Sequence, residues 1–279
     1  MKRALVPPVD PEAYAPTPER PLRGKLRTLR QQAQIQAHTH AWAQLVFSTE
    51  GALHVQAADS TYIVPPSRAV WVAPNVEHTT GAIEEAQLHT IYFAPSLLPG
   101  PDWQHCRVIE VTPLLRELAQ QLDHQSNHPS EHPSDLPSIH QSGAAPEPER
   151  ERLLSELIVN ELRRARTLTL GIALPQDTRL RRLCEAMLAE PGLHASLEDW
   201  AASSGASPRT VSRLFRQQLG VSFAQWRSQV LLAHALSMAA RKKSMKVIAA
   251  ELGYASASAF TAMVTRTMGM PPSQFFARA

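Results

Sequence analysis

The sequence predicts an α+β protein in two parts, an N-terminal β-barrel and a C-terminal all-α domain of two helix–turn–helix units. Three observations carry this. Short segments rich in Val, Ile, Tyr and Trp recur between residues 22 and 111, separated by turn residues, the pattern of a small barrel or sandwich. After Pro175 apolar residues recur at helical spacing instead. An internal repeat of about half the last hundred residues runs through that helical part.

Composition bounds the rest. The 279 residues are 43% apolar and 19% charged, so packed cores form and wholesale disorder is excluded. No apolar run reaches the roughly 20 residues that span a bilayer, so no membrane partner is expected. The N-terminal MKRALVPPVDPEAYAPTPERP has no apolar segment of the kind a secretory signal needs. Two cysteines, Cys106 and Cys184, exclude a disulfide framework and a four-cysteine zinc site. Together these predict a cytoplasmic protein. The net charge of +3 divides into −4 over residues 1–175 and +7 over residues 176–279. A basic C-terminal third points to nucleic acid.

In chain order, residues 1–21 hold six prolines and read as an extended, disordered tail. Residues 22–111 form the β domain, with strands at Trp42–Thr49, Ala52–Ala57, Thr61–Val64, Ala69–Ala73 and Gln87–Phe93. Residues 112–175 form a helical segment. Its first helix, Pro113–Asp123, carries Leu114, Leu115, Leu118 and Leu122 on one stripe. Residues 124–149 hold five prolines and read as a flexible linker. The prolines prevent the helix that would align His124, His128, His132 and His140 as a metal tract. Residues 150–166 form a second helix with Leu153, Leu154, Leu157, Ile158 and Leu162 on one stripe, a candidate contact between subunits of a homodimer.

Residues 176–279 contain the repeat. Ala201 and Gly205 recur 48 residues later as Ala249 and Gly253. Val211, Leu214, Phe215, Gly220 and Trp226 recur 49 residues later as Phe260, Met263, Val264, Gly269 and Phe275. Each copy reads as helix–turn–helix, over 197–219 and 245–268. In the first, Ser207 caps the second helix and Pro208 suits its first position. Val211, Leu214 and Phe215 face inward, which leaves Arg209, Thr210, Ser212, Arg213 and Arg216 outward. Arginine reads guanine with two hydrogen bonds, and Ser and Thr bond base edges or phosphates. In the second copy the outward set is Ser258, Thr261, Ala262 and Thr265, with Arg266 near the end.

These residues resemble the DNA-binding domain of the AraC/XylS family of bacterial transcription regulators. The likeness runs through Ser207-Pro208-Arg209-Thr210-Val211-Ser212-Arg213-Leu214-Phe215, Gly220 and Trp226-Arg227. It continues through Ile248-Ala249, Leu252-Gly253-Tyr254, Phe260 and Gly269-Met270-Pro271-Pro272-Ser273. The resemblance implies one monomer placing two recognition helices in successive major grooves, about 34 Å apart. It also adds Arg227 to the expected DNA contacts. Where the family has basic residues, this chain has Ala262 and Thr265, and Leu231 stands where the family has Arg. Arg209, Ser212 and Arg213 are therefore expected to dominate sequence choice, with the second unit contributing phosphate contacts and shape recognition.

In the β domain, His38 and His40 stand two apart before an apolar segment, and Gln44 shares their parity. His78 follows a later strand pair. The spacing from His38 through Gln44 to Gly51 resembles the first cupin motif, and Pro65–Pro74 ending at His78 resembles the second. A cupin sensor fused to this DNA-binding domain is itself an AraC-family arrangement. The resemblance implies an effector pocket near His38, His40, Gln44 and His78, with Trp42 and Trp71 as candidate lining. It implies a divalent transition metal on His38, His40 and His78, with Gln44 where metal-binding cupins carry glutamate.

The reading is thus a one-component regulator of transcription, controlled by a small-molecule effector and not an enzyme. Its partners would be promoter DNA, a second copy of the chain and, for an activator, RNA polymerase. The alternative is a metal-dependent cupin enzyme joined to a DNA-binding domain.

Overall fold

The computed structural model describes residues 4–8, 10–58, 60–66, 68–83, 85–125, 148–168, 172–191, 197–205 and 207–276. In chain order the strands are β1 (Ala4–Val6), β2 (Leu22–Leu29), β3 (Ala33–His38), β4 (Ala43–Ser48), β5 (Leu53–Ala57), β6 (Ser60–Val64), β7 (Arg68–Val72), β8 (His78–Ala82), β9 (Ala86–Phe93), β10 (Arg107–Glu110), β11 (Thr167–Leu168) and β12 (Ile172–Ala173). The helices are α1 (Pro11–Tyr14), α2 (Pro113–Gln125), α3 (Pro148–Arg164), α4 (Thr178–Ala189), α5 (Leu197–Ser204), α6 (Pro208–Leu219), α7 (Phe223–Ala240), α8 (Met245–Glu251), α9 (Ala257–Met268) and α10 (Pro272–Phe276). The chain divides into two compact units, residues 1–58 with 64–169, and residues 59–63 with 170–279.

The first unit is a two-sheet β structure. One sheet runs β11-β10-β7-β4-β9-β2, and the other carries β1, β3, β8 and β5 in that order. The central strand β4 is buried at every residue, which is why its sequence Ala-Gln-Leu-Val-Phe-Ser shows no clean apolar/polar alternation. Its two faces have different tasks. Leu45, Phe47, Trp71, Ile91 and Phe93 share a core with Leu115 and Leu118 of α2 and with Leu154, Ile158 and Leu162 of α3. The opposite face, with Gln44, Thr90 and Tyr92, lines a hollow.

Three expectations change here. The tail over 1–21 is not wholly disordered. Ala4–Val6 pairs in parallel with Ala33–Ile35, Tyr14 is buried, and Arg20 bridges to Glu151 of α3 at 2.9 Å. Proline density hid a short strand and an aromatic anchor. The helical segment after residue 112 is not a separate module, because α2 and α3 close one face of the sheet. The α3 stripe also divides: Leu154, Ile158 and Leu162 are buried, whereas Leu153 and Leu157 are 47% and 48% exposed. Apart from its ends within α2 and α3, the expected linker 124–149 lies outside the described residues.

The second unit is helical, with β6 pairing β12 through Thr61 and Ile172. The segment Thr61–Val64, expected in the β domain, thus contributes most of its residues here. Helix α7 is the axis of the unit. Trp226, Val230, Leu231, Leu232, Ala233, Ala235 and Leu236 are all buried, so it is apolar almost all round and covered by both helix–turn–helix pairs. Trp200, Phe215, Phe223 and Trp226 form an aromatic core for the first pair, with ring centroids 5.1–6.2 Å apart. The Trp226 indole N–H donates to the Ala173 carbonyl at 2.7 Å.

The repeat is also visible in the caps. Ser207 accepts from the Thr210 amide, and Ser256 from the Ala259 amide. Helix α6 ends at Gly220 and α9 at Gly269, both with φ of 68°. That left-handed conformation strains any residue with a Cβ.

Candidate functional site

The chain places its chemistry at two sites, one in each unit. In the first unit, β3 ends at His38, and residues 39–42 carry the chain across to β4. His40 therefore lies in this connection and not on a strand, as the two-residue spacing had suggested. His78 opens β8 and pairs with His38 in register. The three donor nitrogens all lie within 4.8 Å of one another.

The backbone sets the protonation of the rings. His38 Nδ1 is 2.9 Å from the Gln36 carbonyl, His40 Nδ1 is 2.7 Å from that of Trp42, and His78 Nδ1 is 2.9 Å from that of Val76. A carbonyl only accepts, so each Nδ1 carries the hydrogen that donates. In a neutral ring that leaves Nε2 as a lone pair. Burial holds the His78 pKa down at about 3 against the Val76 carbonyl, and His38 and His40 push it the same way. Burial also lowers His38. Both rings are neutral near pH 7, the form a metal requires.

Gln44 closes the cluster. Its Oε1 position is 2.9 Å from His40 Nε2 and 3.3 Å from His78 Nε2. An oxygen facing two ring lone pairs is unfavourable alone. The geometry is satisfied by the amide turned with its NH2 to the rings, or by a cation among the four lone pairs. Neutral imidazoles with a single amide oxygen suit a divalent transition metal, and the carbonyls behind each Nδ1 give the outer support that metal-bound histidines use. Trp42 stacks on His40 with centroids 4.8 Å apart and planes 3° apart. Its buried indole N–H has no acceptor among the described residues.

Of the predicted pocket residues, His38 and Gln44 line the hollow, His40 and His78 adjoin Gln44, Trp42 stacks on His40, and Trp71 lies elsewhere. Gln44 pairs with Val72, and Leu45 with Trp71. Trp71 therefore faces away from the hollow, donates from its indole N–H to the Trp103 carbonyl at 2.9 Å, and packs edge-on against Trp103 and Phe93. The sequence made Trp71 a candidate for the lining because it lies on a barrel strand; with Val70, Trp71 and Val72 all apolar, parity gave no direction.

Sequence reasoning also missed lining residues. Lys25, Arg27, Thr80, Thr90 and Tyr92 share the hollow with His38 and Gln44. Lys25 and Arg27 alternate with Gly24 and Leu26, which on its own resembles a solvated strand face. Their register with Thr90 and Leu88 of β9 turns them to the hollow.

In the second unit, the outward face of α6 is as expected for Arg209, Arg213 and Arg216, which are exposed. Thr210 and Ser212 are half-buried, and the Thr210 hydroxyl is 2.9 Å from Ser207 Oγ in the cap. Arg213 donates to Gln217 Oε1 at 3.1 Å, which holds it along the helix. On α9, Ser258, Thr261 and Arg266 are exposed. Arg227 differs: it is half-buried and hydrogen-bonded to Tyr254, in the turn of the second pair.

Residues 5–137 match the family model of an AraC-like ligand binding domain, and residues 200–278 that of a helix-turn-helix domain. The chain is 28% identical over 241 residues to the HTH-type transcriptional regulator NimR of Escherichia coli, covering 86% of this chain and 82% of that one. It is 24% identical over 259 residues to the HTH-type transcriptional activator RhaR of Yersinia pestis, covering 85% and 83%. Among solved structures, fatty-acid-bound ToxT from Vibrio cholerae aligns over 91% of this chain and 94% of its own, with 9% identity and a TM-score of 0.36. Among the described residues no helix is long and apolar enough to cross a membrane. The chain belongs to the AraC family of transcription regulators, with an N-terminal ligand-binding domain and a C-terminal helix-turn-helix DNA-binding domain.

Proposed function

We propose that this chain reads a promoter operator chiefly through α6 and is switched by a small molecule bound beside the three histidines. The observation that carries the switch is the convergence of the His38, His40 and His78 Nε2 atoms with Gln44, every ring fixed by a backbone carbonyl. A divalent transition metal held by these groups would supply a Lewis-acidic anchor for an effector. The protein's own part is to hold the three imidazoles by their backbone carbonyls and to keep Trp42 stacked on His40. An effector changes transcription only by binding one arrangement of the protein better than another.

On the DNA side, Arg209, Ser212 and Arg213 carry base recognition, with Thr210 and Arg216 on the same face. Ser258, Thr261 and Arg266 contribute backbone contacts from α9. Helix α7 has 18 residues, about 27 Å at 1.5 Å per residue, which suits two helices bound in successive grooves. Arg227 holds the two pairs together rather than reading DNA. The protein acts in the cytoplasm as a homodimer through Leu153 and Leu157 of α3, a self-complementary contact. RhaR is named an activator; if this chain also activates, RNA polymerase is its further partner.

The enzyme alternative lacks support, because a catalytic metal site needs a group that moves protons or activates substrate. Gln44, where metal-binding cupins carry a carboxylate, does neither. The test is genome-wide mapping of binding sites, followed by metal analysis of the purified chain and a turnover screen. Discrete promoter-proximal sites without turnover support the regulator. Metal-dependent turnover with no discrete sites overturns it.

A further inference from the structure

The hollow next to the histidines has a charge character of its own. Strand β2 of one sheet brings Lys25 and Arg27 to it, opposite Thr80 and Ile35 of the other sheet. Among the described residues that line it, none is a carboxylate. The Arg27 guanidinium donates to the Pro7 carbonyl at 3.0 Å, a neutral partner that leaves its charge in place. Lys25 Nζ stands 4.2 Å from the centroid of the Tyr14 ring.

The lining also carries residues that bear hydroxyls. Thr80, Thr90 and Tyr92 are 2%, 6% and 3% exposed. All three residues line the hollow. A hydroxyl both donates and accepts, so three such residues around one opening can bond a polar ligand. Ile35 and Leu88 complete the wall with apolar surface. Such a wall suits a compact carbon skeleton and not a bare inorganic ion.

We propose that the hollow takes a small organic carboxylate, received by the Arg27 guanidinium and oriented by the hydroxyls of Thr80, Thr90 and Tyr92. Arginine holds a planar carboxylate through two parallel hydrogen bonds, and it stays charged at every physiological pH. The other end of the ligand then lies toward His38 and Gln44. This rests on the effector reading of the same site and adds the sign of the ligand's charge.

The test uses the full-length protein and matched probes: pyruvate with pyruvamide, benzoate with benzamide, and inorganic phosphate. Binding is read by calorimetry and by the shift in melting temperature. At least one acid should bind saturably and at least tenfold more tightly than its amide, with phosphate weaker than that acid. Arg27→Gln should weaken the acid at least tenfold, Arg27→Lys less, and Tyr92→Phe severalfold. Circular dichroism and DNA affinity report whether each variant folds. Should Arg27→Gln misfold, the acid-against-amide comparison on the unaltered chain decides alone. Amides binding as tightly as acids would overturn the charge assignment and leave the effector site standing. Phosphate binding more tightly than every acid would overturn the organic part. If neither acid nor amide binds, the proposal fails. The effector reading falls with it only if native mass spectrometry of protein taken from cells also shows no bound small molecule.

Discussion

The Tyr254 phenol accepts a hydrogen bond from the Arg227 guanidinium, tying the turn between α8 and α9 to the helix that leaves the first pair. Arg227 thus spans the two helix–turn–helix units instead of facing outward. If its role is this tie, Tyr254→Phe reproduces much of the effect of Arg227→Ala. Each should lower stability by about 1 kcal/mol and weaken operator binding without changing which bases are preferred. Affinity measured on the operator and on single-base variants checks this. A silent Tyr254→Phe beside a damaging Arg227→Ala would return Arg227 to the DNA contacts.

The two recognition helices should differ in kind. Arg213→Ala should cost about 1–3 kcal/mol of discrimination at one base pair, the worth of a lost bidentate contact. Thr261→Ala should lower affinity modestly and equally on all sequences. Titrations at fixed salt on operator and scrambled duplex separate these outcomes. Equal losses of specificity would contradict the ranking.

Leu153 and Leu157 point outward from α3 while Leu154 and Ile158 are buried. Leu157→Glu should therefore leave the fold intact and convert a dimer to monomers in sedimentation. A surviving dimer would remove α3 from the subunit contact.

His234 on α7 donates from Nε2 to the Leu188 carbonyl at the end of α4, at 2.8 Å. Burial pushes its pKa down to about 4, the Leu188 carbonyl opposes this, and Arg241 adds to it. Its unfolded value is about 6.5, so the unfolded chain binds this proton first. The stability tied to the neutral ring is complete above pH 6.5 and is lost as pH falls toward 4, by up to about 1.4 kcal/mol per pH unit. Denaturant titrations should show this slope reduced in His234→Gln, with the difference from the unaltered chain confined to that window.

Much of the second unit was legible because a helix–turn–helix writes its core at fixed local spacing. Val211 and Phe215 are buried, and the cap Ser207 sits one residue before Pro208. Leu214, expected inside with them, is only half-buried. The histidine cluster was legible as a set of residues, but not the turn that carries His40. The lining of the hollow was not legible, because it depends on register between strands far apart in sequence. Thr90 faces inward only through its pairings with Lys25 and Val46. Trp71 was misplaced for the related reason that a strand buried on both faces carries no alternation. The tail was misread because composition averages over residues, and one Tyr14 in a polar stretch suffices to anchor it.

Ser207 with Gly220 and Ser256 with Gly269 frame two helices of 12 residues in the same way. The frame is thereby independent of what the outward side chains say. One copy can lose its reading residues while its place against α7 stays unchanged. The operators of this chain should then be lopsided: one well-defined box, then about one helical turn away a second that tolerates substitution. A search of the genome with a symmetric pattern would pass over most of them, and one weighted to a single box would recover them.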